Sequence, residues 1–197
     1  TSGQFDADIN EAFKLNIGME TDEDYRRLWS DIRDGRLPEP TGMFCSVPTL
    51  FDSSQAPDGK HTAFIWQCVP YHLKDGGSER WDEISDDYMD RCIDAWRRYA
   101  PNLNDKNIIR KVAMSPLDID RKLYNMKDGG LFMGRLIQGQ LEYFRPLPEL
   151  SGFRTPIDKL YLGGSYCHPG GGIIGAAGMI AAEVIAEDYG LEKWWES

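Results

Sequence analysis

Phe13, Leu15, Ile17 and Met19 alternate with Lys14, Asn16 and Gly18, the period of two that a strand takes when one face is buried. At Thr21 the period changes. Thr21 is a helix-capping residue type, Asp22, Glu23 and Asp24 put negative charge in the first turn, and Tyr25, Leu28, Trp29 and Ile32 recur at helical spacing as far as Gly35. That pattern predicts a short amphipathic helix. Pro38 and Pro40 separate it from a second strand-like run, Met43 to Leu50, in which Pro48 marks an edge or an irregularity. A polar turn from Asp52 to Lys60 leads into renewed alternation from His61 to Val69. Trp81, Ile84, Tyr88, Cys92, Trp96 and Tyr99 then mark one face of a long helix ending near Pro101. Asn107 to Met114 is apolar enough for a further strand, and Ser115-Pro116-Leu117-Asp118 combines an N-cap, a first-turn proline and a capping acid before a short helix to about Tyr124. Strands alternating with helices, with no internal repeat, predict an α+β (mixed α/β) chain built around a mixed sheet.

The last forty residues have a different character. Leu160-Tyr161-Leu162 is a short apolar strand, the next thirteen residues contain six glycines, and from Ile174 onward small apolar residues recur at helical spacing. A strand, a tight loop and a helix N-terminus in this order let backbone approach a ligand closely, and the free N–H groups and helix dipole favour an anion or developing negative charge. A dinucleotide or flavin is the natural occupant. Gly170, Gly172 and Gly175 spell G-x-G-x-x-G, but such a fingerprint opens a βαβ unit with an acidic residue about 20 positions on. Only 22 residues follow Gly175, and the helix uses most of them. The segment therefore reads as the closing strand-loop-helix of a dinucleotide-binding domain. The plainer alternative is a glycine-rich loop that merely permits tight helix–strand packing.

Composition narrows the function classes. The chain has 197 residues, a formal charge of −10 and 41% hydrophobic residues, which is ordinary globular composition and gives no basic face with which to neutralise nucleic-acid phosphates. Cys45, Cys68, Cys92 and Cys167 lie far apart, with neither zinc-ligand nor short-disulfide spacing, so no metal is expected. No apolar run reaches the ~18–20 residues of a membrane span, and a cytoplasmic chain, soluble or peripheral to a membrane, is the expectation. The start at Thr1, without Met and running into strand-like sequence, reads as a beginning partway through something larger.

At the glycine segment the sequence resembles the C-terminal half of the phytoene-dehydrogenase-like flavoproteins, within the FAD-dependent amine-oxidase-type group. The residues that carry the resemblance are Leu160-Tyr161-Leu162-Gly163-Gly164-Ser165, His168-Pro169-Gly170-Gly171-Gly172 and Gly175-Ala176-Ala177-Gly178, with Pro70-Tyr71-His72-Leu73, Tyr99-Ala100-Pro101, Ser115-Pro116-Leu117-Asp118 and Phe144-Arg145-Pro146 upstream in order. The resemblance implies a substrate-binding domain over residues 10–145 and a return to the FAD-binding domain over 155–190. It also implies FAD contacts at Gly163, Gly164, Ser165, Gly172, Ile173, Ile174 and Gly175, with the final helix pointing its N-terminus at the pyrimidine edge of the flavin. The glycine-rich ADP-binding motif that opens the family's chain is absent from this sequence, so a missing FAD-binding segment or subunit is the expected partner. A hydrophobic small-molecule substrate is expected too, and a homo-oligomer is allowed.

Tyr71, His72 and His168 are the candidates for a substrate cavity, each against a bland reading. His168 either faces that cavity or steadies its own turn, and Tyr71 with His72 either lines it or forms a self-satisfied pair. Cys167 has no visible orienting partner for nucleophilic chemistry. The function expected is hydride transfer between an apolar, isoprenoid-type substrate and flavin, in an assembly that this chain completes; the alternative is a non-catalytic truncated relative that binds a hydrophobic ligand or a partner protein.

Overall fold

The computed structural model describes residues 11–132, 134, 137–172, 174–193 and 195. The chain is α+β and divides into two compact units, Thr1–Asp118 and Ile119–Ser197.

In the first unit three short strands, β1 (Leu15–Ile17), β2 (Met43–Ser46) and β3 (Phe64–Trp66), form one sheet in the order β1-β2-β3. Both pairings are antiparallel, with Leu15 opposite Cys45, Ile17 opposite Met43 and Cys45 opposite Ile65. The pleat sends these five side chains to one face, where Met43 and Cys45 are fully buried. The opposite face carries Phe44 and Trp66, with the Lys14 ammonium 3.8 Å above the Phe44 ring. Where a mixed sheet is expected, the sheet among the described residues is wholly antiparallel, because each connection reverses the chain direction.

Helix α1 (Asp22–Arg33) begins at the predicted cap. The Asp24 N–H donates to the Thr21 hydroxyl at 3.2 Å and the Thr21 N–H donates to the Asp24 carboxylate at 3.0 Å, a reciprocal capping box. The Thr21 hydroxyl also donates to the Asp24 carboxylate at 2.8 Å, and this bond, ahead of the Thr21 N–H, holds the Asp24 carboxyl below its usual range. Of the helical stripe only Leu28 is buried; Tyr25 and Trp29 pack edge to face on one another at the surface. The chain leaves the helix through Gly35, in the left-handed region at φ +70°. Its carbonyl accepts the Lys74 N–H at 2.7 Å, and a Cβ there would lie 2.9 Å from the His72 carbonyl oxygen. Glycine is thus required for a close approach to the Tyr71–Lys74 segment.

Helix α2 (Trp81–Arg97) supplies most of the core. Trp81, Tyr88, Cys92, Ala95 and Trp96 are all buried and join Ile17, Met43, Cys45 and Leu73 in one cluster. Helix α3 (Pro116–Lys122) starts at a second reciprocal cap, with Ser115 N–H to Asp118 at 2.9 Å and Asp118 N–H to the Ser115 hydroxyl at 3.1 Å.

Three predicted strands change. Met43 to Leu50 pairs only as far as Ser46, after which Pro48 opens a 3₁₀ turn, Pro48–Leu50. His61 to Val69 pairs only over β3. Asn107 to Met114 forms no strand: the chain folds back on the Asn104 carbonyl, which accepts from Asn107 and Ile108, and Ile109 and Val112 are 77% and 70% exposed. Those apolar residues have no ladder partner.

In the second unit the described secondary structure centres on α4 (Ala176–Tyr189). Ala177 and Ala181 pack with Phe153 and Cys167, flanked by Leu162, Ile180 and Val184. The strand predicted at Leu160-Tyr161-Leu162 reduces to a bridge, Arg154 opposite Tyr161, with the Leu162 N–H donating to the Phe153 carbonyl at 2.8 Å. The bridge is tied to the end of α4, because Arg154 chelates the Asp188 carboxylate through Nε and Nη2 at 2.7–3.1 Å and the Tyr161 hydroxyl donates to it at 2.8 Å.

This cluster sets a pH window. Arg154, first, and the Tyr161 hydroxyl hold the Asp188 carboxyl below its ordinary 3.8, and the same bond pushes the Tyr161 hydroxyl from 10.0 to about 12. A depressed carboxyl contributes stability above its unfolded value and loses it as pH falls through the lower folded value; a raised phenol contributes below 10 and loses it as pH rises through about 12. The tie is therefore complete between about pH 4 and pH 10. Ultraviolet titration of Asp188→Asn should bring Tyr161 back towards an ordinary phenol. A tyrosine titration identical to that of the wild type would contradict the tie.

Candidate functional site

The glycine loop, residues 163–175, runs from the Tyr161 bridge to the start of α4. Two tight turns shape it: Cys167 N–H donates to the Gly164 carbonyl at 3.0 Å, and Gly170 N–H to the Cys167 carbonyl at 2.8 Å. Gly164, Gly170, Gly172 and Gly175 have φ of +85°, +108°, +123° and +68°, a region that side-chain-bearing residues rarely enter.

The glycines divide by what stands in front of them. A Cβ at Gly171 would meet Phe132 Cα at 3.3 Å and the Phe132 carbonyl oxygen at 3.4 Å, so this glycine serves packing. At Gly164, Gly172, Gly175 and Gly178 a Cβ would meet nothing within 4 Å. Packing alone does not require those four positions to be bare. Three of them lie in the loop before α4 and Gly178 lies in its first turn.

Helix α4 begins without a cap. Its N-cap is Gly175, which has no side chain to accept a hydrogen bond, and its first turn contains no acid. The first intrahelical bond runs from Met179 N–H to the Gly175 carbonyl at 3.0 Å. The N–H groups of Ala176, Ala177 and Gly178 therefore precede the helix's own acceptors, and with the dipole they make a site for an anion or an electron-rich edge. Helices α1 and α3 are capped by a side-chain oxygen, and α2, which also lacks a side-chain cap, carries Asp82 and Glu83 in its first turn; α4 has neither a capping side chain nor an acid. The far end is closed conventionally: Gly190 is left-handed and the Leu191 N–H donates to the Ala186 carbonyl at 2.8 Å.

The sequence candidates fall as follows. Gly163 and Gly164 are exposed at the head of the loop, Ser165 is half-buried, and Gly172, Ile174 and Gly175 are exposed at its foot, with Ile174 65% exposed. Ile173 lies outside the described residues. His168 is half-buried in the middle of the same loop, and its peptide bond to Pro169 is cis. Tyr71 and His72 belong to the first unit, where their rings meet edge to face at 4.7 Å and the Tyr71 carbonyl accepts from the Trp81 indole at 3.2 Å.

Cysteine chemistry is disfavoured throughout. Cys167 is 2% exposed, and burial pushes its thiol up against the smaller opposing pull of Arg145. Burial pushes Cys45 and Cys92 up to about 12 and raises Cys68 as well, so none of the four offers a thiolate near neutrality. Among the described residues, no group of three or more His, Cys, Asp or Glu is placed to hold a metal ion, and no helix is long and apolar enough to cross a membrane.

Sequence reasoning passed over Arg145 except as part of a matching motif. It is 2% exposed and donates to the Ser165 carbonyl at 2.6 Å. The one signal was a cation set among Tyr143, Phe144 and Pro146, where a solvated arginine has little reason to sit.

No family model matches the chain. Curated relatives do, among them the following three. The chain is 35% identical over 157 residues to the pyridine nucleotide-disulfide oxidoreductase domain-containing protein 2 of Rattus norvegicus, covering 78% of this chain and 26% of that protein. It is 32% identical over 194 residues to a limonene dehydrogenase subunit of Castellaniella defragrans, covering 96% of this chain and 35% of that protein. It is 32% identical over 162 residues to the chloroplastic prolycopene isomerase of Arabidopsis thaliana, covering 80% of this chain and 26% of that protein. The chain thus spans about a quarter to a third of the length of the curated relatives it matches.

Proposed function

The chain belongs to the phytoene-dehydrogenase-like oxidoreductases that these relatives represent, and from that premise we propose that it forms the C-terminal part, or one subunit, of an FAD-dependent oxidoreductase acting on an apolar, isoprenoid-type substrate. The observation that carries the reading is the bare start of α4 at the end of a loop with glycines that packing does not require. In this reading residues 10–145 are the substrate-binding domain and residues 155–190 complete the FAD-binding domain. The names limonene dehydrogenase and prolycopene isomerase support the substrate class.

Gly163, Gly164 and Ser165 at the head of the loop, and Gly172, Ile174 and Gly175 at its foot, are the residues that would hold FAD, joined by Ile173 on the resemblance alone. Bound there, FAD supplies two-electron redox chemistry, accepting hydride from a C–H bond or donating it to a double bond. The chain's own contribution is placement and electrostatics. Absent side chains at Gly164, Gly172 and Gly175 allow backbone contact, and the N–H groups of Ala176, Ala177 and Gly178 stabilise negative charge on whatever edge faces them. Tyr71, His72 and His168 are cavity candidates whose role is orientation. Hydride removed from one carbon to form a double bond is matched by a proton lost from its neighbour, and the reverse reaction takes one up.

The test is reconstitution. Co-produced with a glycine-rich dinucleotide-binding half of the kind that opens the family's chain, the protein should purify as a yellow complex with close to one FAD, while the chain alone should retain none. An assembly that forms but never takes up flavin would overturn the proposal.

A further inference from the structure

Arg145 is a full charge taken out of water, at 2% exposure, next to the loop assigned above to the cofactor. Burying a guanidinium is costly unless its N–H groups find acceptors, and here, among the described residues, acceptors come from three separate stretches of the second unit. Nη2 donates to the Ser165 carbonyl at 2.6 Å and to the Phe132 carbonyl at 3.4 Å, and Nη1 donates to the Gln140 carbonyl at 3.4 Å. The Ser165 contact is a short, charge-assisted bond; the other two are long. A second observation independently joins the same two stretches: Phe132 backbone lies against Gly171, where a Cβ would sit 3.3 Å from the Phe132 Cα. The glycine loop is therefore held to residue 132 at Gly171 and to Arg145 at Ser165.

The geometry points to Arg145 as a positioning residue of the cofactor loop, one that fixes the Ser165 peptide and docks Phe132 beneath Gly171 so that the loop keeps its shape before ligand arrives. This rests on the reading of that loop as the FAD site. The mechanism is local. The Ser165–Tyr166 peptide is trans, and in a trans peptide the carbonyl and the following N–H point in opposite directions. Holding the Ser165 carbonyl on the guanidinium thus turns the Tyr166 N–H away from it. A planar fork serves this arrangement and a lysine does not, because one ammonium on a flexible stem cannot span acceptors on three stretches. Pre-formed loops bind more tightly because the ordering cost is already met.

The test uses the reconstituted flavin-loaded assembly with Arg145→Met and Arg145→Lys, read by FAD affinity, by the visible spectrum of bound flavin and by amide hydrogen exchange. Arg145→Met should raise exchange across residues 163–172 about tenfold or more with α2 unchanged, and should weaken FAD on the order of 10- to 100-fold, the effect of losing a charge-assisted bond. Arg145→Lys should leave both defects largely in place and alter the bound-flavin spectrum. Unchanged loop exchange in Arg145→Met, or full rescue by Arg145→Lys, overturns the proposal. If Arg145→Met does not fold, Arg145→Lys decides alone, and wild-type loop exchange with wild-type affinity overturns it. A wild-type assembly that takes up no flavin sinks the FAD reading instead; loop exchange then judges the clamp by itself, with loosening upholding it and no change ending it.

Discussion

Replacing Trp81 with alanine should remove most of the stability of the first unit. Trp81 is the first residue of α2, is 2% exposed, and packs edge to face on Tyr88, two turns further along the same face, at 6.1 Å. Its indole N–H is shared between the Pro70 and Tyr71 carbonyls, both at 3.2 Å. Truncation to alanine leaves a cavity, typically about 3–5 kcal/mol for Trp→Ala, and strands the buried Pro70 carbonyl and the part-buried Tyr71 carbonyl at a further ~1–3 kcal/mol. Against a domain stability of roughly 5–15 kcal/mol, the expected result is a fall in the thermal midpoint on the order of 10 °C or more, read by near-ultraviolet circular dichroism. Trp81→Phe keeps an aromatic ring but loses the donor and part of the indole's volume, so it should fall between. The Tyr71–His72 pair should suffer with it, since one of the two carbonyls is that of Tyr71. A Trp81→Ala protein melting within a degree or two of wild type would show that α2 is not the keystone of this core.

That keystone was legible in the sequence because large apolar residues seldom recur at helical spacing over five turns unless a helix buries one face. Trp81, Tyr88, Cys92 and Trp96 recur in register, and all four are buried together. The caps at Thr21 and Ser115 were legible for a similar reason, since a hydroxyl three residues before an acid has a specific geometry to satisfy. Strand reading was weaker. Asn107 to Met114 has the apolar content of a strand, but a strand exists only where a neighbour supplies the ladder, and a single sequence does not say which neighbours arrive. The same limit shortened Met43–Leu50 and His61–Val69 to the residues that find partners. Within the site, the glycine loop stood out because clustered glycines are expensive without a purpose. Arg145 did not, because its role depends on which three carbonyls, 5, 13 and 20 positions away, the fold gathers around it.

The sharpest separation between a cofactor loop and a packing loop is Gly178→Glu. Gly178 is the third residue of α4, exposed, with open space where a Cβ would stand. For the helix alone this change is favourable twice over. Glycine within a helix is about 1 kcal/mol worse than a good helix former, and an acid in the first turn gains a further ~0.3–1 kcal/mol from the dipole. If the loop serves only packing, Gly178→Glu should therefore give a protein as stable as wild type or more so, with nothing else altered. If the start of α4 faces the electron-rich edge of FAD, the new carboxylate competes for the same N–H groups and repels the charge that reduction places there. Two like charges about 4 Å apart at an effective dielectric near 20 repel by ~4 kcal/mol, so the reconstituted assembly should lose affinity for reduced FAD by roughly 100-fold or more, while Gly178→Gln, uncharged and similar in size, loses much less. Stability and flavin binding should thus move in opposite directions in one variant. Gly178→Glu assemblies that hold reduced FAD as tightly as wild type would remove α4 from the cofactor site, whatever the family membership of the chain.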